Sequence, residues 1–152
     1  MCIRDSPLGV IVGGFFVLRR RRWQPLALLT AAVAGAVGLY NIVKPLIGRP
    51  RPPPAIWIGH YSGAAFPSGH ATQSVAFYAM LAIVLGAGRS PWVKTVLWSV
   101  AALVVLVVGG SRIYLGAHWL TDVLGGYALG ASWVATVVIV MLAISSPAEP
   151  SN

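Results

Sequence analysis

The sequence predicts an all-α protein, a polytopic bundle of helices that crosses a membrane. Of its 152 residues, 57% are hydrophobic and only 9% are charged, which is too few polar side chains to cover a water-soluble domain of this size. Four apolar stretches also have lengths close to the roughly 20 residues that span a bilayer as a helix. Because no polar linker separates these stretches, we expect residues 1–152 to form a single domain.

The four apolar stretches are predicted to be membrane-spanning helices. They cover about residues 26–43, 71–88, 93–110 and 123–144. Glycine and alanine are frequent within them, as expected where helices pack closely in lipid without a hydrophobic force between them. We therefore interpret Gly125 and Gly126 as packing positions.

A fifth apolar stretch, at about residues 7–18, is too short to cross a bilayer. A secretory signal would place its basic residues before the apolar core, whereas the run Arg19–Arg22 follows this stretch. The stretch has about the length of half a helix that spans a bilayer. We therefore expect that it is a partial span and that the chain is truncated at its N-terminus.

The basic residues predict the orientation of the helices in the membrane. Cytoplasmic loops are enriched in lysine and arginine, which places Arg19–Arg22, and two spans later Arg89 and Lys94, in the cytoplasm. The segments 44–70 and 109–122 are then expected at the extracytoplasmic face of the cytoplasmic (plasma) membrane. All remaining polar residues of chemical interest lie in these two segments.

The charge balance argues against two classes of function. The formal net charge is +8, but the basic residues do not form the aromatic-interleaved face of a nucleic-acid groove, so we expect membrane lipids and not nucleic acid as partners. Acidic residues are scarce, since Asp5 and Glu149 lie near the ends and Asp122 is the only carboxylate between them. One interior carboxylate cannot build a magnesium or two-metal site, so we expect no metal and no cofactor.

Three clusters of polar residues could carry chemistry, and the last of them contains His118 and Asp122. These two are four residues apart, and a helix that begins near Ala117 would place both on one face, where they can hydrogen-bond. A carboxylate that binds one imidazole nitrogen leaves the other free to attack or to exchange protons. Taken alone, the pair is equally compatible with a structural role. Arg112 matches phosphate oxygens with its guanidinium fork, although a lone arginine here could also snorkel to the membrane surface.

The middle cluster, Pro67-Ser68-Gly69-His70, precedes the second predicted span. Ser68 fits the N-cap of the following helix, whose free backbone N–H groups favour a bound anion, and Gly69 permits close approach. His70 would then stand in the first turn beside the anion, able to donate a proton to a departing oxygen. An ordinary helix start explains the serine and the glycine but not the histidine.

The first cluster follows the first predicted span. Lys44 and Arg51 lie on the side of the membrane that the positive-inside rule keeps poor in cations. Their position favours an anionic substrate whose phosphoryl oxygens they neutralise. Arg49 either shares that role or simply faces water.

The three clusters together resemble the type 2 phosphatidic acid phosphatase superfamily. The matching residues are Lys44 with Arg51-Pro52, then Pro67-Ser68-Gly69-His70, then Ser111-Arg112 with His118 and Asp122. The resemblance covers residues 44–122 and implies the helix bundle that this superfamily shares with the vanadium haloperoxidases. Similar bacterial members usually have six helices, whereas four spans and a fragment are predicted here.

The resemblance implies a metal-independent phosphatase that hydrolyses a lipid phosphomonoester or pyrophosphate through a phosphohistidine. His118 would attack phosphorus, Asp122 would orient it, and His70 would protonate the leaving oxygen. The phosphoryl oxygens would be bound by Lys44, Arg51, Ser68, Gly69 and Arg112. Implied substrates are an isoprenoid pyrophosphate such as undecaprenyl pyrophosphate, phosphatidic acid or phosphatidylglycerol phosphate.

Two other functions stay open at this point. The phosphoenzyme could pass its phosphoryl group to another alcohol or sugar, which would make the protein a phosphotransferase. A catalytically silent relative could instead bind lipid without turnover, although the intact His118, His70 and Asp122 argue against it. The soluble vanadium haloperoxidases share the anion site, but four predicted spans in so short a chain argue against that activity.

Overall fold

The computed structural model describes residues 23–145, which form four long helices and one short 3₁₀ turn at Pro54–Ile56. The helices are α1 (Gln24–Ile47), α2 (Gly69–Gly86), α3 (Pro91–Tyr114) and α4 (Leu120–Ser145). All four are long and apolar enough to cross a membrane, which confirms the predicted all-α bundle. The partial span predicted at residues 7–18 and the basic run Arg19–Arg22 lie outside the described residues.

Local sequence explains several helix ends. Helices α1 and α3 carry proline within their first two positions, where its missing N–H costs no helical hydrogen bond. Helix α1 ends at Gly48, which has a left-handed backbone (φ 60°) and donates its N–H to the carbonyl of Lys44. This is a common way to satisfy the last carbonyls of a helix, and it turns the chain sharply out of α1.

Helix α2 is the central helix of the bundle and packs against the other three. The buried core between α1, α2 and α4 combines small and larger apolar side chains: Leu29, Ala32, Ala36, Ala76, Met80 and Val134. Small residues let helix backbones approach closely. Large apolar side chains such as Leu103, Leu106 and Ile139 are exposed, as expected for a protein whose outer surface contacts lipid tails.

Gly126 sets the distance between α4 and α2 near the ends that carry the polar clusters. A Cβ atom at this position would lie 2.7 Å from the carbonyl oxygen of Ser68 and 2.9 Å from the Cβ of Ala71. A side chain at Gly125 would meet the ring of Phe66. The packing interpretation of both glycines is therefore confirmed, and α4 starts directly beside the start of α2.

The linkers 48–68 and 115–119 lie at the same end of the bundle, because two passes of the chain, α2 and α3, separate them. Several hydrogen bonds connect them: for example, the N–H of Ile58 donates to the carbonyl of Leu115 at 3.0 Å, and the indole N–H of Trp119 donates to the carbonyl of Pro50 at 3.2 Å. Arg89 and Lys94 lie at the opposite end, where α2 connects to α3. The polar clusters of the sequence therefore share one end of the bundle.

Candidate active site

His118 and Asp122 lie side by side at the start of α4. The Nδ1 atom of His118 is 3.6 Å from Oδ2 of Asp122, and both side chains are buried. This separation exceeds a hydrogen-bond distance, and Nδ1 has no hydrogen-bond partner within residues 23–145. The pair is therefore in contact, but the predicted hydrogen bond is not formed in this structure.

The predicted helix start near Ala117 is wrong, because α4 begins at Leu120. Oδ2 of Asp122 accepts a hydrogen bond of 2.8 Å from the backbone N–H of Trp119. An acidic side chain at the third helical position that binds the N–H of the residue before the helix is one half of a capping box. Trp119 is thereby fixed as the last residue before the helix, and His118 stands in the turn that precedes it.

Arg49 holds the other oxygen of Asp122. Its Nη1 atom lies 3.0 Å from Oδ1 of Asp122 and also donates to the hydroxyl of Thr121, and its guanidinium carbon is 5.9 Å from the centre of the Trp119 ring. From sequence, Arg49 is expected to bind the substrate or to face water, and the ion pair with Asp122 is not predicted. A signal was available, since a single interior carboxylate needs a counter-charge when it is buried.

Burial lowers the pKa of His118 to about 3, and the positive charges of Arg51 and Lys44 act in the same direction. A hydrogen bond with the backbone of Ala65 opposes this shift, and His70 adds a smaller lowering effect. His118 is therefore a neutral imidazole at physiological pH. A neutral imidazole has a free electron pair on one ring nitrogen and can act as a nucleophile.

Ser68 occupies the N-cap position of α2, as predicted, but its side chain forms no capping hydrogen bond. The residue is fully buried, and its Oγ has no hydrogen-bond partner among the residues that the structure describes. Its backbone N–H donates to the carbonyl of Asp122 at 2.9 Å, which joins the middle and last clusters. A buried hydroxyl without a partner is costly, so Ser68 is suited to bind an anion.

Gly69 and His70 form the first turn of α2 next to Ser68. A Cβ atom at position 69 would lie 3.3 Å from the ring of Tyr40, so glycine here lets α1 and α2 approach one another. His70 is partly exposed. Its electrostatic effect on His118 is consistent with two imidazoles at one site.

Arg51 bridges the two linkers. Its guanidinium donates to the carbonyls of Gly63 at 3.1 Å, Ser62 at 3.0 Å and Ala117 at 2.7 Å. Burial lowers the pKa of Arg51, while the negative charge of Asp122 raises it. Because a guanidinium has five N–H groups and three are used here, Arg51 keeps donors for a further ligand.

Lys44 and Arg112 complete the set of cations predicted to bind phosphate. The Nζ atom of Lys44 donates to the carbonyl of Ala64 at 2.7 Å. Arg112 lies in the last turn of α3 and donates from Nε and Nη2 to the hydroxyl of Ser111, each at 3.1 Å. All of these partners are neutral oxygen atoms, which an anion with full negative charge can replace.

The predicted site residues therefore come from three separate parts of the chain and converge on one end of the bundle. Helix α1 and its linker supply Lys44, Arg49 and Arg51, and the start of α2 with its N-cap supplies Ser68, Gly69 and His70. The last turn of α3, the turn after it and the first turn of α4 supply Arg112, His118 and Asp122, respectively. Within residues 23–145, no three His, Cys, Asp or Glu side chains are grouped as metal ligands. The cations are suited to bind the oxygens of a phosphoryl group, and the neutral, buried imidazole is suited to attack its phosphorus atom.

Comparison with known proteins gives a consistent picture. The model of the PAP2 superfamily matches residues 25–145. Phosphatidylglycerophosphatase B of Bacillus subtilis (strain 168) is 38% identical over 128 residues, which cover 82% of this chain and 61% of that protein. A lipid A 1-phosphatase of Rhizobium johnstonii is 32% identical over 114 residues, or 69% of this chain and 43% of the relative. The chain thus spans less than two thirds of the length of these relatives.

A solved structure has the same fold. It is the crystal structure of the first transmembrane PAP2 type phosphatidylglycerolphosphate phosphatase from Bacillus subtilis, with a TM-score of 0.86 and 30% sequence identity. The superposition covers 97% of this chain and 74% of that protein. The four-helix arrangement described above is therefore that of a membrane protein of known architecture.

Proposed function

The chain belongs to the PAP2 superfamily, and on that premise we propose that it is a metal-independent lipid phosphatase that works through a phosphohistidine intermediate. The observation that carries this proposal is the position of His118. It is a buried imidazole with a pKa of about 3, in contact with a carboxylate on one side and within the electrostatic influence of Lys44 and Arg51. A neutral nucleophile beside an anion site is the minimum that such a reaction requires.

In the first step, His118 attacks the phosphorus atom of the lipid phosphate. The imidazole attacks as the tautomer that carries its proton on Nδ1, which faces Asp122, and gives up its hydrogen bond to the backbone of Ala65. Nε2 then has the free electron pair and forms a P–N bond as the P–O bond to the lipid breaks. His70, in the first turn of α2, gives a proton to the departing oxygen. The imidazole gains positive charge in this step, and the carboxylate of Asp122 stabilises it.

In the second step, water attacks the phosphohistidine. His70, now neutral, takes a proton from the water, the P–N bond breaks, and inorganic phosphate is released with His118 in its original state. Lys44, Arg51, Arg112 and the Ser68 hydroxyl hold the phosphoryl oxygens in both steps, where negative charge builds up in the transition state. Arg51 and Arg112 donate to neutral carbonyl or hydroxyl oxygens, and the Ser68 hydroxyl has no partner within residues 23–145.

The substrate proposed is a phosphomonoester or pyrophosphate of a membrane lipid. Phosphatidylglycerol phosphate is the first candidate, because the relative from Bacillus subtilis is a phosphatidylglycerophosphatase and is 38% identical to this chain. Phosphatidic acid and undecaprenyl pyrophosphate are the other two lipids to compare. A helix bundle with exposed apolar side chains gives a lipid tail direct access from the membrane.

We further propose that the site opens to the extracytoplasmic side of the cytoplasmic membrane. Arg89 and Lys94 lie at the end of the bundle opposite to the site, and basic residues outside a functional site mark the cytoplasmic side. The lysine and arginines at the site end are hydrogen-bonded within the protein, so they are less informative about orientation.

The test is phosphate release from the three lipids by the purified chain in detergent micelles, with EDTA present. We expect EDTA to leave the activity unchanged and His118→Ala to reduce it by at least about 10³-fold, because the nucleophile is lost. The matched control is His60→Ala, an exposed histidine in the linker 48–68, which should keep full activity. Undiminished release by His118→Ala would exclude the mechanism. Adding glycerol as an acceptor and analysing the products separates hydrolysis from phosphoryl transfer.

A further inference from the structure

We propose that Arg49 is a positioning residue, which holds the carboxylate of Asp122 in place against His118 and does not bind the substrate. The inference rests on the proposed function, because it assigns Asp122 a part in the reaction. It changes the interpretation of the first polar cluster, in which Arg49 lies two residues before Arg51 and is expected from sequence either to share phosphate binding or to face water. The structure gives these two arginines different partners.

The contacts of Arg49 fix both the side chain and its target. Nη1 lies 3.0 Å from Oδ1 of Asp122 and donates to the hydroxyl of Thr121, the preceding residue. The guanidinium also lies near the Trp119 ring, 5.9 Å from its centre. Because the N–H of Trp119 binds Oδ2, the carboxylate is held at both oxygens. Its remaining freedom of rotation is small.

The charge of Asp122 requires a partner of this kind. The residue is completely buried and is the single acidic residue within positions 23–145. A buried carboxylate without a counter-charge is strongly destabilising. His118 is neutral and cannot provide that charge, so the ion pair with Arg49 provides it by direct contact.

The type of partner also separates Arg49 from the cations assigned to phosphate. Lys44, Arg51 and Arg112 donate to carbonyl or hydroxyl oxygens, which a phosphoryl group with full negative charge can displace. Arg49 instead donates to a carboxylate that is completely buried, and moving the guanidinium to a phosphate would leave this buried charge without its counter-charge. We therefore expect Arg49 to stay on Asp122 when a lipid phosphate binds.

This arrangement matters when His118 becomes positively charged during phosphoryl transfer. Nδ1 is 3.6 Å from Oδ2, so a small approach completes the hydrogen bond to the imidazole. The approach is productive only if the carboxylate keeps its orientation, which Arg49 and the Trp119 N–H secure. Loss of Arg49 should therefore slow the chemical step and leave substrate affinity nearly unchanged.

The experiment compares Arg49→Gln, Arg49→Lys and the control Arg89→Gln, an exposed arginine at the opposite end of the bundle. The steady-state release of phosphate from phosphatidic acid in micelles gives kcat and KM. We expect Arg49→Gln to lower kcat by roughly 10- to 100-fold, as for other residues that orient a reacting group, with KM changed by less than about threefold. Arg49→Lys should recover part of the loss, since the charge remains. A large rise in KM at unchanged kcat would make Arg49 a substrate ligand and overturn the inference.

A double-mutant cycle with Asp122→Asn then tests whether Arg49 acts through the carboxylate. If it does, Arg49→Gln has no further effect on kcat in the Asp122→Asn protein, whereas independent roles give losses that multiply. The same four proteins are compared by thermal unfolding, which needs no turnover. If the unmodified chain releases no phosphate, the proposed function fails. Coupling between the two residues in Tm still supports the contact, and additive changes in Tm reject it.

Discussion

His118 lies where burial and two neighbouring cations oppose its protonation, and this has a consequence for stability. Its pKa is about 3 in the folded protein, compared with the ordinary value of 6.5. Between these two values the unfolded chain binds more protons than the folded chain. The contribution of His118 to stability is therefore fully present above about pH 6.5 and decreases as the pH falls toward 3.

We predict that the thermal unfolding midpoint in detergent falls between pH 7.5 and pH 5, and that it falls less in His118→Gln. The variant lacks the group whose protonation is disfavoured by folding, so one source of the pH dependence is removed. Differential scanning fluorimetry at a series of pH values measures both. If the two proteins lose the same number of degrees on acidification, His118 is not the group responsible.

Replacing Ser68 by alanine is expected to weaken the binding of phosphate without lowering the stability of the protein. Its hydroxyl is buried without a hydrogen-bond partner in the described part of the chain, so Ser68→Ala removes no existing bond and should leave Tm unchanged or slightly higher. The affinity for inorganic phosphate, measured as a product inhibitor, should weaken by roughly fivefold to tenfold, the value of one hydrogen bond.

Ser74→Ala is the matched control for this prediction. Ser74 is also buried in α2, but its hydroxyl donates to the carbonyl of Ala71 at 2.9 Å. The same chemical change should therefore lower Tm slightly and leave phosphate inhibition unaltered. An unchanged inhibition constant in Ser68→Ala would remove Ser68 from the anion site.

The roles of some site residues can be predicted from sequence, and the roles of others cannot. His70, His118 and Asp122 are polar groups between apolar stretches, and their chemical types suggest the reaction. The sequence indicates that Asp122 needs a counter-charge once it is buried, but it does not indicate that Arg49 provides that charge, because the two residues lie 73 positions apart. Whether a cation meets a phosphate or a carboxylate depends on such long-range contacts, and no local pattern contains them.

At the scale of the helices, hydropathy predicts where a span lies but not where the helix ends. Helix α3 continues to Tyr114, beyond the apolar stretch, because Ser111 and Arg112 tolerate helical backbone at the polar end. Helix α4 begins later than predicted for the His118–Asp122 pair, because the carboxylate binds the N–H of Trp119. A polar capping interaction decides where α4 starts, and it depends on side-chain geometry that composition does not reveal.

The close approach of α4 to α2 leads to a prediction at the same scale. In Gly126→Ala the added methyl group would lie 2.7 Å from the Ser68 carbonyl, so the two helices must move apart. We expect a loss of about 1–3 kcal/mol in unfolding free energy, as in other overpacked interiors. Activity should fall as well, because the same contact places Ser68 next to Asp122.

Gly110→Ala provides the comparison for Gly126→Ala. Gly110 lies inside α3, and a Cβ atom there would have no neighbour within 4 Å. Since alanine favours helix by up to about 1 kcal/mol over glycine, this variant should be neutral or more stable. Equal destabilisation of both variants would show that the helix crossing at Gly126 is not tight.

At the scale of the whole molecule, the antiparallel order of four helices brings distant clusters of the sequence together. An even number of passes separates the linkers 48–68 and 115–119, so both lie at one end, and the bonds between them close the site. The same topology places the linker between α2 and α3 at the other end. One bundle therefore has the predicted site residues at one end and Arg89 and Lys94 at the other.

This division predicts how the two ends are exposed in a cell. We take Ala55 in the linker 48–68 and Ser90 before α3, which are both exposed, and replace each by cysteine in a Cys2→Ser chain so that one thiol is present. If basic residues mark the cytoplasmic side, a maleimide that cannot cross membranes should label Ala55→Cys in intact bacteria and label Ser90→Cys only after the membrane is permeabilised. The reverse pattern would place the site in the cytoplasm and reject the proposed face while leaving the chemistry of His118 untouched. Phosphate release by each cysteine variant shows that the labelled protein is folded, so the orientation that is measured belongs to the active form.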